Sequence, residues 1–401
     1  MGSLKKIPRV LIIGAGLGGL TLAQCLRKKG IPYQIFDRDE DITQRSGWAI
    51  GIHSILESLK PAFCSDMPPL ATADHLSPLN LEPQIVFYRG ESRIAVQNSP
   101  ETPCMRLNRF KFREWLATKI PVQWGKKIVR VEEEKDQVTV HFGDGTSASG
   151  EILIGADGLN SVVREHVLGR PNRDVLNLNP LAIIWGETTL SGAAMERQLS
   201  LGHSAYALAP AGNRIFVGLN KVNEDLSGDY YWYFSYEDDK VGDEDHWLMT
   251  ATKEAKYEYV RKVTDTLEPK FREIFERTSA DHITPGPWLS RDAVIPSFPV
   301  KRTVLLGDAA HAMTPFRGEG GMHALRDAMS LSDVFDDIDW IYSQEKLDAY
   351  QSEALERGSK AVVLSRNAWA AGANPNFKPM AWGHEATPSP VEKVLLVAYR
   401  S

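Results

Sequence analysis

VLLGDAAHAMTPFRGEGGMHALRDAMSL, residues 304–331, is the stretch of sequence that decides the fold. Its apolar start predicts a buried strand that ends at Gly307-Asp308, after which the chain passes Pro315 and reaches Gly318-Glu319-Gly320-Gly321. A helix is predicted after these glycines because apolar residues recur there at helical spacing, namely Leu325, Ala328, Leu331, Val334 and Phe335. The first N–H groups of a helix are unpaired and attract anions, so the glycines predict a binding site for a negatively charged group.

A flavin ring is a candidate ligand for this segment. The reduced ring carries its negative charge on the pyrimidine side, where the start of a helix would stabilise it. Taken alone, the segment also fits a strand, turn and helix with alanine-rich packing and no ligand.

A second glycine motif, Gly14-Ala15-Gly16-Leu17-Gly18-Gly19, lies between a strand predicted at 9–13 and a helix predicted at 20–29. In this GxGxxG spacing the first glycine permits a tight turn, the second lets a pyrophosphate approach, and the third lets helix and strand pack closely. Asp37 ends the next predicted strand, Tyr33–Phe36, where it could accept hydrogen bonds from an adenosine ribose. An acid there favours a nucleotide without a 2′-phosphate, such as FAD; a solvated turn residue is the alternative.

A third motif, GADGLNSVVR at residues 155–164, follows a strand predicted at 152–154. Its glycines and Asp157 predict a compact turn beside a bound cofactor, although such a turn also occurs without a ligand. Arg164 could hold that turn by hydrogen bonds or contact a pyrophosphate.

The patterns along the chain predict two interleaved domains. Residues 1–75, 100–169 and 285–344 form the cofactor domain, residues 76–99 and 170–284 a substrate domain, and residues 345–401 a C-terminal helical segment and tail. Strands of an antiparallel sheet are predicted at 181–190, 205–209, 214–220 and 230–236. Helices are predicted at 107–116, 257–277 and 345–370, and the apolar run 394–399 could dock as a strand or helix turn.

Composition excludes several classes of protein. The 401 residues are 43% hydrophobic and 24% charged with a formal net charge of −6, which argues against a nucleic-acid partner. The apolar stretches are too short to span a membrane, and no signal peptide is recognisable. Cys25, Cys64 and Cys104 form no CxxC pair, so we expect no metal site and a cytoplasmic location.

With the three motifs in this order, the chain resembles the single-component, group A FAD-dependent monooxygenases, which are aromatic hydroxylases and epoxidases. The resemblance covers roughly residues 8–365. It is most similar to short members from fungal secondary metabolism, through Arg45-Ser46-Gly47-Trp48-Ala49-Ile50-Gly51 and RLNRFKFREWL at 106–116. The implied fold is α/β, with a Rossmann-like FAD domain, an inserted antiparallel-sheet substrate domain and a C-terminal helix.

The resemblance implies that Asp37 binds the ribose, that Arg109 and Asp308 approach the phosphates or ribityl chain, and that Asp157 and Arg164 serve both FAD and a transient nicotinamide cofactor. One departure is Met322, where many relatives carry asparagine. Met322 could instead pack against the flavin. The predicted cofactor-binding residues are Gly14, Gly16, Leu17, Gly18, Gly19, Asp37, Arg38, Arg45, Gly47, Arg109, Asp157, Arg164, Asp308, Pro315, Gly318, Gly320, Gly321 and Met322.

The reaction that the resemblance implies begins when NADPH or NADH reduces FAD. Oxygen then adds at C4a, and the hydroperoxide oxygenates a hydrophobic aromatic or polycyclic molecule. Pro315 should lie against the ring, and Arg317 either steers an anionic substrate, stabilises the reduced flavin, or is a surface arginine. Rival functions are a flavin-dependent halogenase, whose Trp-x-Trp-x-Ile-Pro signature is missing, a reductase, and a flavin-binding cyclisation catalyst without redox chemistry. The sequence allows a monomer or a homodimer.

On the substrate side, aromatic residues and one histidine lie on the predicted strands that the resemblance places over the flavin: Trp185, His203, Tyr206, Tyr231 and Tyr233. Tyr206 is our candidate for a catalytic role. Strand alternation puts Tyr231 and Tyr233 on one face and Trp232, Phe234 and Tyr236 on the other, and only one face can meet substrate. Packing within the sheet is the alternative role for each of these aromatics; for His203, a base and a loop histidine are the alternatives, and we favour the loop.

Overall fold

Two sheets organise the molecule, a five-stranded parallel sheet and a seven-stranded, mostly antiparallel sheet. The computed structural model describes residues 10–44, 47–90, 92–100, 103–335, 343–371 and 384–385. Arg45 and the run at 394–399, for which we made predictions, lie outside these residues.

The strands of the described residues are β1 (Val10–Ile13), β2 (Tyr33–Phe36), β3 (Ala49–Ile52), β4 (Gln84–Arg89), β5 (Ser92–Gln97), β6 (Met105–Asn108), β7 (Val122–Gln123), β8 (Ile128–Glu133), β9 (Val138–Phe142), β10 (Ser147–Gly150), β11 (Ile152–Gly155), β12 (Asn177–Leu178), β13 (Leu181–Leu190), β14 (Ala205–Leu208), β15 (Arg214–Val222), β16 (Gly228–Glu237), β17 (Arg291–Asp292), β18 (Thr303–Leu305) and β19 (His384–Glu385). The α-helices are α1 (Leu17–Lys29), α2 (Leu56–Leu59), α3 (Arg109–Leu116), α4 (Val162–Leu168), α5 (Gly192–Leu201), α6 (Trp247–Thr250), α7 (Lys253–Thr264), α8 (Pro269–Glu276), α9 (Asp308–His311), α10 (Gly320–Asp333) and α11 (Gln344–Ala371).

The parallel sheet has the strand order β18-β11-β1-β2-β7. All four residues of β1 are buried, as expected for a parallel strand that is covered on both faces. Val10 and Ile12 lie in the apolar cluster that includes residues of α1 and α10, whereas Leu11 and Ile13 lie in a cluster with residues of the β8-β9-β10 sheet. The prediction of an α/β fold with a Rossmann-like domain is confirmed.

The seven-stranded sheet has the order β13-β16-β15-β14-β4-β5-β19. Its described neighbours are antiparallel except for β14 and β4, which run parallel. Trp232 and Phe234 share an apolar cluster with Phe271 and Phe275 of α8, whereas Tyr231 belongs to a separate cluster on the other face. The predicted alternation along β16 is therefore confirmed.

The prediction of a single helix at 257–277 is wrong in one respect, because the structure has two helices there, α7 and α8. Pro269 is the first residue of α8. Proline has no backbone N–H, so it fits the first turn of a helix but not the interior of a longer one. The periodicity of the apolar residues continues across the break and hides it.

The C-terminal helix α11 stabilises the edge of the parallel sheet. Tyr350 donates its O–H to the carbonyl of Leu305 at 3.1 Å, and Gln351 accepts the N–H of Leu305 at 2.8 Å. These two side chains satisfy backbone groups of the edge strand β18. None of the helices that the structure describes has both the length and the apolar character needed to cross a membrane.

Candidate active site

The first glycine loop leaves β1 and enters α1 with little room for side chains. Gly14 has φ of +109°, and a Cβ at Gly14 would overlap the carbonyl of Ala156. A Cβ at Gly19 would overlap the carbonyl of Gly14, and one at Gly18 would lie 2.6 Å from Leu306. Gly16 differs, because a Cβ there would meet no atom within 4 Å. The loop is therefore closed on the protein side and open at Gly16, as the binding of a pyrophosphate requires.

Asp37 fixes the same loop from the end of β2. Its carboxylate accepts the N–H of Ala15 at 2.6 Å and the N–H of Asp39 at 2.9 Å. The binding of ribose hydroxyls by Asp37 stays a prediction. Arg38, the next residue, is exposed.

Sequence analysis missed Arg113, which fastens this loop from α3. Its buried guanidinium donates to the carbonyl of Ala15 at 2.9 Å, to Asp39 at 3.0 Å and to the carbonyl of Ile42 at 3.1 Å. In the sequence, Arg113 resembles any basic residue of an amphipathic helix, and no local pattern distinguishes it.

Arg109 and Gly47 are neighbours, as their joint prediction as cofactor residues requires. Arg109 is exposed at the start of α3, and its backbone N–H donates to the carbonyl of Trp48 at 3.0 Å. A Cβ at Gly47 would lie 2.8 Å from Cδ of Arg109. The absence of a side chain at Gly47 therefore leaves room for the Arg109 side chain.

Asp157 of the third motif caps α4. Its carboxylate accepts the N–H groups of Val162 at 2.7 Å and Val163 at 3.2 Å, and also the hydroxyl of Ser161. Burial raises the pKa of Asp157, and these hydrogen bonds oppose the shift. The turn is held by this cap, and contact of Asp157 with FAD or a nicotinamide stays a prediction.

Arg164 joins the third motif to the segment that follows β18. Its buried guanidinium donates to the carbonyls of Asp308 at 3.1 Å and Ala309 at 3.2 Å, to Asn172 at 2.8 Å, and to the carbonyl of Leu159. All three guanidinium nitrogens are engaged within the protein and the side chain is 0% exposed. The prediction that Arg164 contacts a cofactor is therefore wrong, and its alternative role of holding the turn is the one observed.

The segment after β18 presents its predicted binding groups at the surface. Asp308 is exposed as the first residue of α9, and Gly307 before it has φ of +59°. Pro315 is exposed and begins a short 3-10 turn that ends at Gly318, whose φ is +66°. Helix α10 then begins at Gly320 without a side-chain cap. Its first N–H groups are available to an anionic ligand group.

Two predicted residues of this segment have partners within the protein. Arg317 forms an ion pair with Glu319, with nitrogen–oxygen distances of 2.7 and 2.9 Å. Met322 is 5% exposed and lies in the same apolar cluster as Leu17 and Leu325. We therefore assign the Met322 side chain to packing between α1 and α10.

Aromatic residues cover the face of the seven-stranded sheet that carries Tyr231. Trp48 stacks on Trp185 with ring centroids 4.2 Å apart and on Tyr231 at 5.1 Å. Phe316, which follows Pro315, contacts Tyr233 edge to face at 6.2 Å. We define the aromatic cluster as Trp48, Trp185, Phe216, Tyr231, Tyr233, Phe316 and Trp369. Phe316 brings this cluster to the predicted flavin segment.

The role predicted for Tyr206 is wrong, because Tyr206 lies on the opposite face of the sheet. It is 1% exposed, shares a cluster with Trp232 and Phe271, and donates its hydroxyl proton to Gln198 at 2.7 Å. His203 precedes β14, and its Nδ1 lies 2.9 Å from the carbonyl of Glu82. Neither side chain belongs to the aromatic cluster.

The arrangement fits FAD. Open space at Gly16, the buried carboxylate of Asp37, exposed Asp308 and the uncapped start of α10 provide the groups that a dinucleotide with a flavin ring needs. Together with an aromatic cluster beside the flavin segment, they define a flavin-dependent oxidoreductase.

Comparison with known proteins specifies this class. A family model described as an FAD binding domain matches residues 8–365. The FAD-dependent monooxygenase thnD of Trichoderma harzianum is 46% identical over 383 residues, which cover 92% of this chain and 94% of that protein. The FAD-dependent urate hydroxylase of Klebsiella pneumoniae is 28% identical over 378 residues, with 89% and 88% covered.

Among solved structures, that of Klebsiella pneumoniae HpxO complexed with FAD and uric acid superposes with a TM-score of 0.71 at 20% identity, covering 98% of this chain and 92% of that chain. The chain belongs to the group A FAD-dependent monooxygenases, of the type found in fungal secondary metabolism, as its sequence motifs predicted. It is an FAD-dependent monooxygenase, and FAD is its cofactor.

Proposed function

We propose that this enzyme uses NADPH or NADH and O2 to hydroxylate or epoxidise a hydrophobic aromatic or polycyclic small molecule. The observation that carries the proposal is the aromatic cluster, which meets the flavin segment at Phe316. Ligand sites for such molecules are apolar and aromatic, with a few placed polar groups. The fungal relatives support a role in the biosynthesis of a secondary metabolite.

The residues of this chain would hold the cofactor at three places. The Gly14–Gly19 loop and Asp37 suit the adenosine and pyrophosphate portion, Arg109 and Asp308 suit the phosphates or ribityl chain, and the start of α10 suits the flavin ring. Bound FAD would accept electrons from the nicotinamide and would activate oxygen. N–H groups at the start of α10 would stabilise negative charge on the bound ring, and Pro315 and Phe316 would exclude water beside it.

A cytoplasmic location belongs to the same proposal. Cys25, Cys64 and Cys104 are all free thiols, which suits a reducing compartment.

The proposal is tested by the oxidation of NADPH and NADH in the presence of candidate aromatic substrates. We expect a productive substrate to accelerate nicotinamide oxidation and to yield a product heavier by one oxygen, measured by absorbance and mass spectrometry. Nicotinamide oxidation that no aromatic compound accelerates, with no oxygenated product, would contradict it. Trp185→Ala is a useful variant, because Trp185 belongs to the aromatic cluster and to none of the groups assigned to FAD.

A further inference from the structure

Arg106 is a buried arginine beside the aromatic cluster. It lies on β6, whose next residue, Leu107, faces the apolar core, so Arg106 points to the opposite face of the ribbon formed by β3 and β6. Its side chain is buried, and its Nη2 donates to the hydroxyl oxygen of Tyr231 at 2.5 Å. The guanidinium carbon lies 5.8 Å from the centre of the Phe216 ring.

The charge of Arg106 is uncompensated within the part of the chain that the structure describes. No carboxylate there forms an ion pair with it, and its buried Nε–H has no acceptor. The other buried arginines are different: Arg113 pairs with Asp39, and Arg164 has all three guanidinium nitrogens bonded to oxygen atoms of the protein. A buried cation without a counter-ion, and a buried donor without an acceptor, are both costly.

Neighbouring titratable groups do not remove this charge. His75 contacts the backbone of Arg106, and burial lowers the pKa of His75, which keeps its ring neutral. Glu187 lies on the same sheet face as Tyr231, but its carboxylate accepts from Nε1 of Trp48 at 2.8 Å and forms no ion pair with Arg106 among the described residues.

Tyr231 adds a second donor at the same place. Burial raises the pKa of Tyr231, so its hydroxyl stays protonated at neutral pH. That hydroxyl accepts from Arg106, and its own proton has no acceptor among the described residues. Two donors without acceptors therefore lie next to the stacked rings of Trp48 and Trp185.

There is room for a ligand beside them. Gly51 is the cross-strand partner of Arg106, and partners in an antiparallel pair share a face. A Cβ at Gly51 would meet no atom within 4 Å. Open space therefore lies at Gly51, on the face of the ribbon that carries the Arg106 side chain.

We propose that Arg106 and Tyr231 bind an anionic oxygen of the substrate, so that the preferred substrate is an aromatic compound carrying a carboxylate or a phenolate. Arg106 supplies the charge, Tyr231 supplies the O–H, and the aromatic cluster holds the ring. Both residues are specificity determinants that contact substrate. The inference rests on the proposed function, because the ligand it describes is the substrate of that reaction.

Binding to the FAD-loaded enzyme tests this inference without requiring turnover. The probes are 2-naphthoate, its uncharged methyl ester and 2-naphthol, and the signal is the quenching of tryptophan fluorescence. We expect wild type to bind 2-naphthoate roughly tenfold more tightly than the ester, because hydrogen bonds to a charged group are stronger than those to a neutral one. Arg106→Met should remove this preference, Arg106→Lys should retain part of it, and Tyr231→Phe should weaken the binding of 2-naphthoate and 2-naphthol.

Arg130→Met is the matched control, because Arg130 is a largely exposed arginine on β8. It should bind all three probes like wild type. Equal binding of the acid and its ester by wild type would overturn the proposal, and so would equal losses for both probes in Arg106→Met. A loss of FAD affinity in Arg106→Met with the preference intact would assign Arg106 to the cofactor and overturn it as well. If the preference holds while no aromatic compound is oxygenated, the proposed reaction fails and the anion site stands.

Discussion

Gly14 and Gly16 are two residues apart and have opposite surroundings. Gly14 needs glycine for its own backbone, whereas Gly16 has φ of −79° and open space before it. We expect Gly16→Ala to fold with a free energy of unfolding within about 0.5 kcal/mol of wild type in the apoprotein, because nothing in the protein opposes the new methyl group. The same methyl group should occupy the pyrophosphate position and weaken FAD binding roughly tenfold or more.

Gly14→Ala is the contrasting variant and should be strongly destabilised, because its Cβ overlaps the carbonyl of Ala156. Urea unfolding of the apoproteins and titration with FAD measure the two effects separately. A Gly16→Ala enzyme that binds FAD as tightly as wild type would remove this loop from the binding site.

At the residue scale, the sequence predicts the role of a residue when that role depends only on its neighbours along the chain. The spacing of Gly14, Gly16 and Gly19 predicts their three tasks; the structure shows the close approach at Gly14 and Gly19 and open space at Gly16, where pyrophosphate binding stays a prediction. Arg164 and Arg113 show the limit of such prediction. Each has a partner far away in sequence, at Asp308 and Asp39 respectively, and no local pattern encodes that pairing.

At the element scale, one buried carboxylate joins three helices around the flavin segment. Asp327 of α10 accepts from His311 of α9 at 2.7 Å, from Arg357 of α11 at 2.5 Å, and from the N–H of Gly307 at 2.8 Å. Burial acts to raise the pKa of Asp327, but His311 and Arg357 outweigh it and lower the pKa to about 2. Burial acts to lower the pKa of His311, but Asp327 outweighs it and the pKa is raised.

These shifts predict how stability depends on pH. The contribution of His311 is fully present below its ordinary pKa of 6.5 and is lost as pH rises through the raised value. The contribution of Asp327 is present above its ordinary pKa of 3.8 and is lost as pH falls toward 2. We therefore expect the free energy of unfolding to decline from neutral to alkaline pH, and His311→Gln to flatten that decline.

Asp327→Asn should be destabilised by about 3 kcal/mol at neutral pH, because it leaves buried His311 and partly buried Arg357 without their counter-ion. Denaturant unfolding across pH measures both effects. Asp333→Asn, at the exposed end of α10, is the control and should change little. The idea is wrong if Asp327→Asn and its control unfold at the same denaturant concentration.

The two faces of the seven-stranded sheet give a second test at this scale. Tyr206→Phe removes a hydrogen bond to Gln198 and should cost about 1 kcal/mol of stability while leaving kcat and KM unchanged. Trp185→Phe, on the other face, should change KM several-fold, because it reshapes the aromatic cluster. Steady-state kinetics with an identified substrate decide this, and a large change in kcat for Tyr206→Phe would restore that residue as a catalytic candidate.

Alternation in the sequence separates these two faces but does not say which one meets the substrate. In the structure α7 and α8 cover the face of Trp232 and Tyr206, and we therefore propose the other face for the substrate. The break between these helices at Pro269 and the contribution of Trp369 from α11 are likewise products of tertiary packing.

At the scale of the whole molecule, the fold brings the carboxyl ends of parallel strands to the aromatic face of a second sheet. Three sequence motifs, far apart along the chain, predict the meeting of the strand ends because each motif lies at the end of a buried strand. The aromatic face of the second sheet depends on Trp48, Phe216, Phe316 and Trp369, which come from four different segments. Aromatic residues are common in half-buried positions, so sequence alone does not separate these four from ordinary core residues.

The transfer of one oxygen atom from O2 to an aromatic substrate is the central claim, and isotope labelling tests it most directly. The FAD-loaded enzyme is given NADPH or NADH, oxygen-18 gas, and either candidate metabolites from its own gene neighbourhood or 2-naphthoate. We predict a product that contains one oxygen-18 atom when the label is in the gas and none when it is in the water. Consumption of the nicotinamide with release of hydrogen peroxide alone, or a product labelled from water, would contradict the account.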